Sequence, residues 1–170
     1  MDGARQQDEW ADRVDELWRR ADELDEQAFL DAMDRLASER PPDDPRGLFE
    51  RAGAQDSTGH SDLAVPLYQE ALRAGLAGPH RRQAIIQLAS SLRNLGQLAE
   101  SLRLLTAERD RQTDELDDAV AAFLALVLAD SGREREAVSV ALRALAPHLA
   151  RYQRAVANYA RLLIEPDEDG

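Results

Sequence analysis

The chain has 170 residues, 44% hydrophobic and 32% charged, so it is long and apolar enough to form a core without metal. It contains no Cys, which excludes disulfides, a thiol nucleophile and a thiolate metal site. The net charge of −12 argues against nucleic acid and anionic membrane as partners. No apolar run approaches the roughly 20 residues of a spanning helix, and no signal-peptide stretch begins the chain, so we expect a cytoplasmic protein.

The charged residues are unevenly distributed along the chain. Residues 1–45 contain 15 Asp and Glu but only 6 Arg. This acidic segment has two interpretations, a solvated helix surface or a docking face for a basic partner. All 21 basic residues are Arg, which we interpret as the codon bias of a high-GC bacterial genome.

Residues 1–45 are predicted to form a helical hairpin that caps the rest of the fold. The segments 8–24 and 27–39 each place apolar residues on one helical face, and the proline-rich run 40–45 ends the second helix. Trp10 and Trp18 both fall in the first helix. They are predicted to anchor the core against the second helix, with a contact between Trp18 and a partner as the alternative.

Residues 46–147 contain an internal repeat, each unit being a helix, a glycine turn and a second helix. The units span about 46–76, 81–110 and 117–147, and Gly59, Gly96 and Gly132 end their first helices. Apolar and small residues recur at i, i+3, i+4 and i+7, as one helical face requires. The clearest copies are Ile85, Leu88, Ala89, Leu92 and Ala121, Leu124, Ala125, Leu128.

The first helix of the third unit and a helix beyond the repeats complete the prediction. Residues 119–129 are apolar all round, which predicts a helix buried on every side. Residues 148–164, with Tyr152 and Tyr159 on their apolar stripe, suit a closing helix, and 165–170 a disordered acidic tail.

These units resemble the tetratricopeptide repeat, whose pattern is W-x2-L-G-x2-Y, then A-x3-F, then P. The second unit gives Ile85-x2-Leu88-Ala89-x2-Leu92, and the third ends with Pro147. The chain is similar to small bacterial proteins of this family, of the group-five type, with an N-terminal helical extension. The resemblance implies an all-α, right-handed helical repeat solenoid of about three helix pairs, with an N-terminal helical hairpin and a C-terminal capping helix.

The resemblance also implies a binding surface, because ligands of the family usually lie in a concave groove lined by the first helix of each pair. An ordinary surface or packing role is the alternative for these positions. A clamp for a peptide carboxylate is not expected, since the chain has no Lys. By register, the candidate groove residues are Phe49, Asp56, Ile86, Ser90, Arg93, Asn94, Ala122 and Leu126.

No catalytic, cofactor-binding or metal-binding pattern is evident in the sequence. His60, His80 and His148 fall in predicted turns or at helix ends, which favours a capping role. We therefore expect a non-catalytic protein–protein interaction module, an adaptor or regulatory scaffold that binds another protein or a peptide. The alternative is a self-associating structural subunit, such as a homodimer, whose groove is filled by its own termini or a second copy.

Overall fold

The computed structural model describes residues 2–111 and 114–165, which form helices and no strand. This confirms the predicted all-α fold. Two short 3₁₀ turns, Ala21–Glu23 and Ala146–His148, connect longer elements. None of the helices in these ranges is both long and apolar enough to cross a membrane. The helices are α1 Asp2–Arg19, α2 Glu26–Ala37, α3 Pro45–Ser57, α4 Ser61–Arg73, α5 Gly78–Asn94, α6 Leu98–Arg109, α7 Asp117–Asp130, α8 Glu134–Leu145 and α9 Gln153–Leu162.

The chain divides into two compact units, an N-terminal unit up to Ser91 and a C-terminal unit from Leu92. In the N-terminal unit, α2 packs on α3, and α3 packs on α4. In the C-terminal unit, α7 packs between α6 and α8, and α8 packs on α9. Most of α5 belongs to the N-terminal unit.

A hydrophobic cluster joins α1 and α2 to α3 in the N-terminal unit. Trp10 is buried there with Phe29 and Met33, and its indole Nε1 donates a 2.8 Å hydrogen bond to the backbone oxygen of Leu36. A buried indole needs such a partner because an unpaired N–H would cost free energy. Trp10 is thus a core anchor, as predicted.

Helix α3 begins at a proline preceded by a capping aspartate. The Asp44 carboxylate accepts hydrogen bonds from the backbone amides of Arg46 and Gly47, at 3.1 and 2.9 Å, and pairs with Arg40 at 2.7 Å. Pro45 needs no hydrogen-bond partner for its nitrogen at this first helical position. The proline-rich run therefore separates the hairpin from the next helix pair, as predicted.

The turn glycines have the backbone conformation predicted from the sequence. Gly59, Gly96 and Gly132 have φ values of 89°, 73° and 72°, in the left-handed region that disfavours residues with a Cβ. A Cβ built on any of them would meet no heavy atom within 4 Å. Glycine is therefore needed at these turns for its backbone conformation and not for lack of space.

The closing helix α9 covers part of α8 but leaves its tyrosines in solvent. The Ser139 hydroxyl donates a 2.6 Å hydrogen bond to the backbone oxygen of Ala160, and both residues are buried. Tyr152 and Tyr159 are 76% and 66% exposed. The prediction that these two tyrosines help to close the fold is therefore wrong, because α9 packs through smaller residues instead.

Helix α7 is not buried on every side, contrary to the prediction. Leu124 is buried, whereas Leu126 is 45% exposed and Ala122 and Ala129 are also exposed. Because α6 and α8 pack on other faces of α7, the described residues leave this face uncovered. The apolar residues on this face therefore do not belong to the core of the C-terminal unit.

Candidate protein-binding cleft

The N-terminal unit contains a cleft of about 460 Å³ whose walls are α1, α3 and α5. Each helix contributes residues spaced three or four positions apart, which places them on one helical face. We call this feature the N-terminal cleft. It is lined by Asp15, Trp18, Arg46, Phe49, Glu50, Gly53, His80, Gln83 and Gln87.

Aromatic side chains form the apolar part of the N-terminal cleft. The Trp18 ring lies against α3 at Gly53, where an added Cβ would be only 3.2 Å from Cζ2 of the indole. The Phe49 ring centroid lies 5.6 Å from the His80 ring and 6.2 Å from the ring of Tyr68, in tilted or edge-on geometry. Glycine at position 53 therefore lets the indole approach α3 closely.

Glu50 is a buried carboxylate with a complete set of partners. It is only 3% exposed, and its Oε1 accepts a 2.7 Å hydrogen bond from Nε of Arg46. Its Oε2 accepts a 2.8 Å hydrogen bond from the indole Nε1 of Trp18. Burying a charge is costly unless it is paired and hydrogen-bonded, so Arg46 and Trp18 make this buried position tolerable.

His80 lies in the first turn of α5, with its Nδ1 3.4 Å from a guanidinium nitrogen of Arg46. Burial and the neighbouring Arg46 lower the pKa of His80 below its ordinary value, although Glu50 and Asp15 act in the opposite direction. The imidazole is therefore neutral at pH 7. The lining then contains two carboxylates and one guanidinium as its charged groups.

Several polar groups in and beside the N-terminal cleft have no partner among the described residues. The Oε1 of Gln87 and the hydroxyl of Tyr68 are buried without a hydrogen bond. Burial, and then Asp56 and Glu50, raise the pKa of Tyr68, so its phenol remains protonated. Asp15 is exposed, with no hydrogen bond or ion pair to the described part of the chain. The unpaired atoms of Gln87 and Tyr68 are unusual, because buried polar atoms are normally paired, whereas the exposed Asp15 is solvated.

Four of the candidate groove residues belong to the N-terminal unit, and they occupy different environments. Phe49 lines the N-terminal cleft. Asp56 accepts a 2.7 Å hydrogen bond from the hydroxyl of Ser91, which links α3 to α5. Ile86 is buried, and Ser90 is half-buried.

The other four candidates belong to the C-terminal unit. Nε of Arg93 lies 2.5 Å from Oδ2 of Asp130, which joins the end of α5 to the end of α7. Asn94 is exposed, and Ala122 and Leu126 lie on the exposed face of α7.

The lining residues His80, Gln83 and Gln87 were not among the binding residues predicted from the sequence. They are spaced i, i+3 and i+7 and share one face of α5, a signal that the sequence contains. The register implied by the resemblance to the tetratricopeptide repeat favoured Ile86 and Ser90 instead. A search for polar stripes beside the apolar stripe would have identified the lining of the N-terminal cleft.

No three His, Asp or Glu side chains in the described ranges gather in an arrangement suited to a metal ion. The charged lining groups Arg46 and Glu50 are paired with each other, which makes neither available as a strong acid or base. The geometry of the N-terminal cleft is suited to binding.

Comparison with known proteins gives one family match. No curated protein and no solved structure matches the chain. A family model described as "Tetratrico peptide repeat" matches residues 45–163, from the first residue of α3 to just beyond α9. The match covers well over half of the chain, so this protein belongs to the tetratricopeptide repeat family.

Proposed function

We propose that this protein is a non-catalytic adaptor or scaffold that binds a peptide or helix of a partner protein through the N-terminal cleft. Membership of the tetratricopeptide repeat family points to a protein–protein interaction module, since the family is generally non-catalytic. The observation that supports the site is the cleft of about 460 Å³, with two aromatic rings and two glutamine amides in its lining. Protein-binding surfaces are commonly enriched in such aromatic residues.

The glutamines suit recognition of a polypeptide. Gln83 and Gln87 are four residues apart on α5, so their Cβ atoms are about 5–6 Å from each other on one helical face. Each amide offers both donors and an acceptor, which match the N–H and C=O groups of a peptide backbone. The rings of Trp18 and Phe49 supply apolar contact beside them.

Selection from a random peptide library displayed on phage, with the full chain immobilised, tests this function. The variant Gln83→Trp places a bulky ring in the cleft at a half-buried helix position. We expect peptides selected on the natural chain to bind this variant at least about tenfold more weakly, a loss of about 1.4 kcal/mol.

A matched substitution outside the cleft serves as the control. Gln69 is exposed on α4 and does not line the cleft, so Gln69→Trp should bind the selected peptides as the natural chain does. Circular dichroism should show both variants folded. Equal binding by the two variants, or a selection that yields no binding peptide, would refute the N-terminal cleft as the binding site.

The second candidate function is self-association, and the uncovered face of α7 favours it. Leu126 is 45% exposed between two exposed alanines, in a helix without a charged residue from Ala119 to Ala129. Contiguous exposed apolar surface commonly marks an interaction site. The candidate groove residues of the C-terminal unit, Arg93, Asn94, Ala122 and Leu126, remain predicted contacts under either function.

A further inference from the structure

We infer that the partner segment inserts an arginine side chain into the N-terminal cleft. This inference rests on the function proposed above and specifies the chemistry of the ligand. It follows from the charges of the lining residues, from the shape of the aromatic and amide groups, and from the charge of the surrounding unit.

The charges inside the cleft leave one carboxylate without a counterion. Arg46 and Glu50 are paired at 2.7 Å, so their charges largely neutralise each other. His80 is neutral at pH 7, and Asp15 has no partner in the described ranges. A cationic ligand group would pair with Asp15, whereas an anionic group would be repelled by it.

The remaining lining groups suit a planar cation. A guanidinium can stack on the half-buried ring of Trp18 while its edge donates hydrogen bonds. The amides of Gln83 and Gln87 supply acceptors, and the Oε1 of Gln87 has no donor among the described residues. Rotation of the Gln87 amide about its last torsion, which is a soft one, would present this oxygen to a ligand. A lysine ammonium lacks both the plane and the fork of donors.

The charge of the N-terminal unit favours a basic segment. Residues up to 91 contain 19 Asp and Glu and 11 Arg. Such an excess of negative charge attracts a cationic partner and speeds its association at low ionic strength. The acidic N-terminal segment of the sequence thus acquires a role in recruiting a basic partner.

The probe for the test is the peptide acetyl-Gly-Gly-Arg-Gly-Gly-amide, with its citrulline counterpart as the uncharged isostere. Binding to the full ¹⁵N-labelled chain is followed through the indole N–H signals of Trp18 and Trp10, assigned with Trp10→Phe. The peptide is added to roughly 10 mM, which would populate a site with a millimolar Kd. We expect the arginine peptide to shift the Trp18 signal and the citrulline peptide to bind at least about tenfold more weakly.

Two charge-neutralising variants test whether Asp15 is responsible for the preference for arginine over citrulline. Asp15→Asn should remove most of the preference for arginine over citrulline. Asp22→Asn removes another exposed carboxylate of the same unit outside the cleft, and should preserve the preference. The inference is overturned by an unchanged Trp18 signal, by equal binding of the two peptides, or by equal effects of Asp15→Asn and Asp22→Asn.

If phage selection yields peptides that need an unblocked cleft but contain no arginine, the proposed function stands and the inference fails. If selection yields no peptide sensitive to Gln83→Trp, the proposed function fails.

Discussion

At the scale of single residues, Asp44 shows how one carboxylate can serve as a helix cap and an ion-pair partner together. Burial alone would raise the pKa of Asp44, but hydrogen bonds from Arg40 and from the Gly47 amide outweigh it and lower the pKa below its ordinary value. The ionised form is therefore more favourable in the folded chain than in the unfolded chain. By linkage, this carboxylate stabilises the fold above its unfolded pKa of about 3.9, and the contribution is lost as pH falls through the lower folded pKa.

We predict that Asp44→Ala lowers the free energy of unfolding at pH 7 by about 0.5–2 kcal/mol, because the amides of Arg46 and Gly47 lose their acceptor. The difference from the natural chain should shrink as pH falls below about 4, since the natural carboxyl then becomes protonated. Urea unfolding followed by circular dichroism at a series of pH values measures this difference in the free energy of unfolding. Asp44→Asn, which keeps a capping oxygen, should cost less at pH 7, and a pH-independent difference for Asp44→Ala would contradict the linkage.

Backbone features at this scale were predictable, whereas the environments of particular side chains were not. Gly96 was identified because its role depends on local conformation, which the spacing of apolar residues indicates. Glu50 was not identified, because a buried carboxylate depends on Arg46 and on Trp18, which is 32 residues away in the chain. The partners of a buried charge are a tertiary property that no local pattern specifies.

At the scale of helices, the pairing of α3 with α4 depends on a fully buried small residue. Ala64 lies on α4, which packs on α3, and it has no exposed surface. Bulk at such a position determines how closely two helices approach.

We predict that Ala64→Leu lowers the free energy of unfolding by about 1–3 kcal/mol, because the added methylenes have no space at the contact between α3 and α4. Ala107→Leu is the matched control, since Ala107 is exposed on α6 and leucine is a good helix former. Urea unfolding of the two variants beside the natural chain measures the difference. Similar small effects of both substitutions would show that Ala64 is not a close-packing position.

For helix α7, the sequence predicted the helix itself but not the neighbours that cover it. Its uniform apolar composition was sufficient to predict a helix, and residues 117–130 are helical. It was not sufficient to predict which neighbours cover it, because composition without an amphipathic stripe gives no orientation. The same limit applies to α5, where the apolar stripe was clear but the adjacent polar stripe of Gln83 and Gln87 lines the cleft.

At the scale of the whole molecule, the exposed face of α7 is the surface on which the proposed self-association can be tested. If self-association buries this face, a charge there should prevent it without unfolding the monomer. Leu126 is suited to this test because 45% of its surface is already exposed. Leu124, which is buried on the same helix, provides the comparison.

We predict that Leu126→Asp changes the free energy of unfolding by less than about 1 kcal/mol, because a half-exposed position tolerates a polar side chain. Leu124→Asp should instead prevent stable folding, since an unpaired carboxylate would be buried. Sedimentation velocity over a range of concentrations then decides between the two candidate functions. Dimers of the natural chain that Leu126→Asp abolishes would support self-association, and a natural chain that stays monomeric would reject it.

The open glycine turns between paired helices have a consequence for engineering. A Cβ built on Gly59, Gly96 or Gly132 would meet open space beyond its chain neighbours, so a foreign epitope inserted at one of these turns would have room in solvent. Lengthening a flexible connection costs only about 0.6 kcal/mol for each doubling of its length. The three turns therefore provide ready positions at which tags or recognition sequences can be displayed without altering the N-terminal cleft.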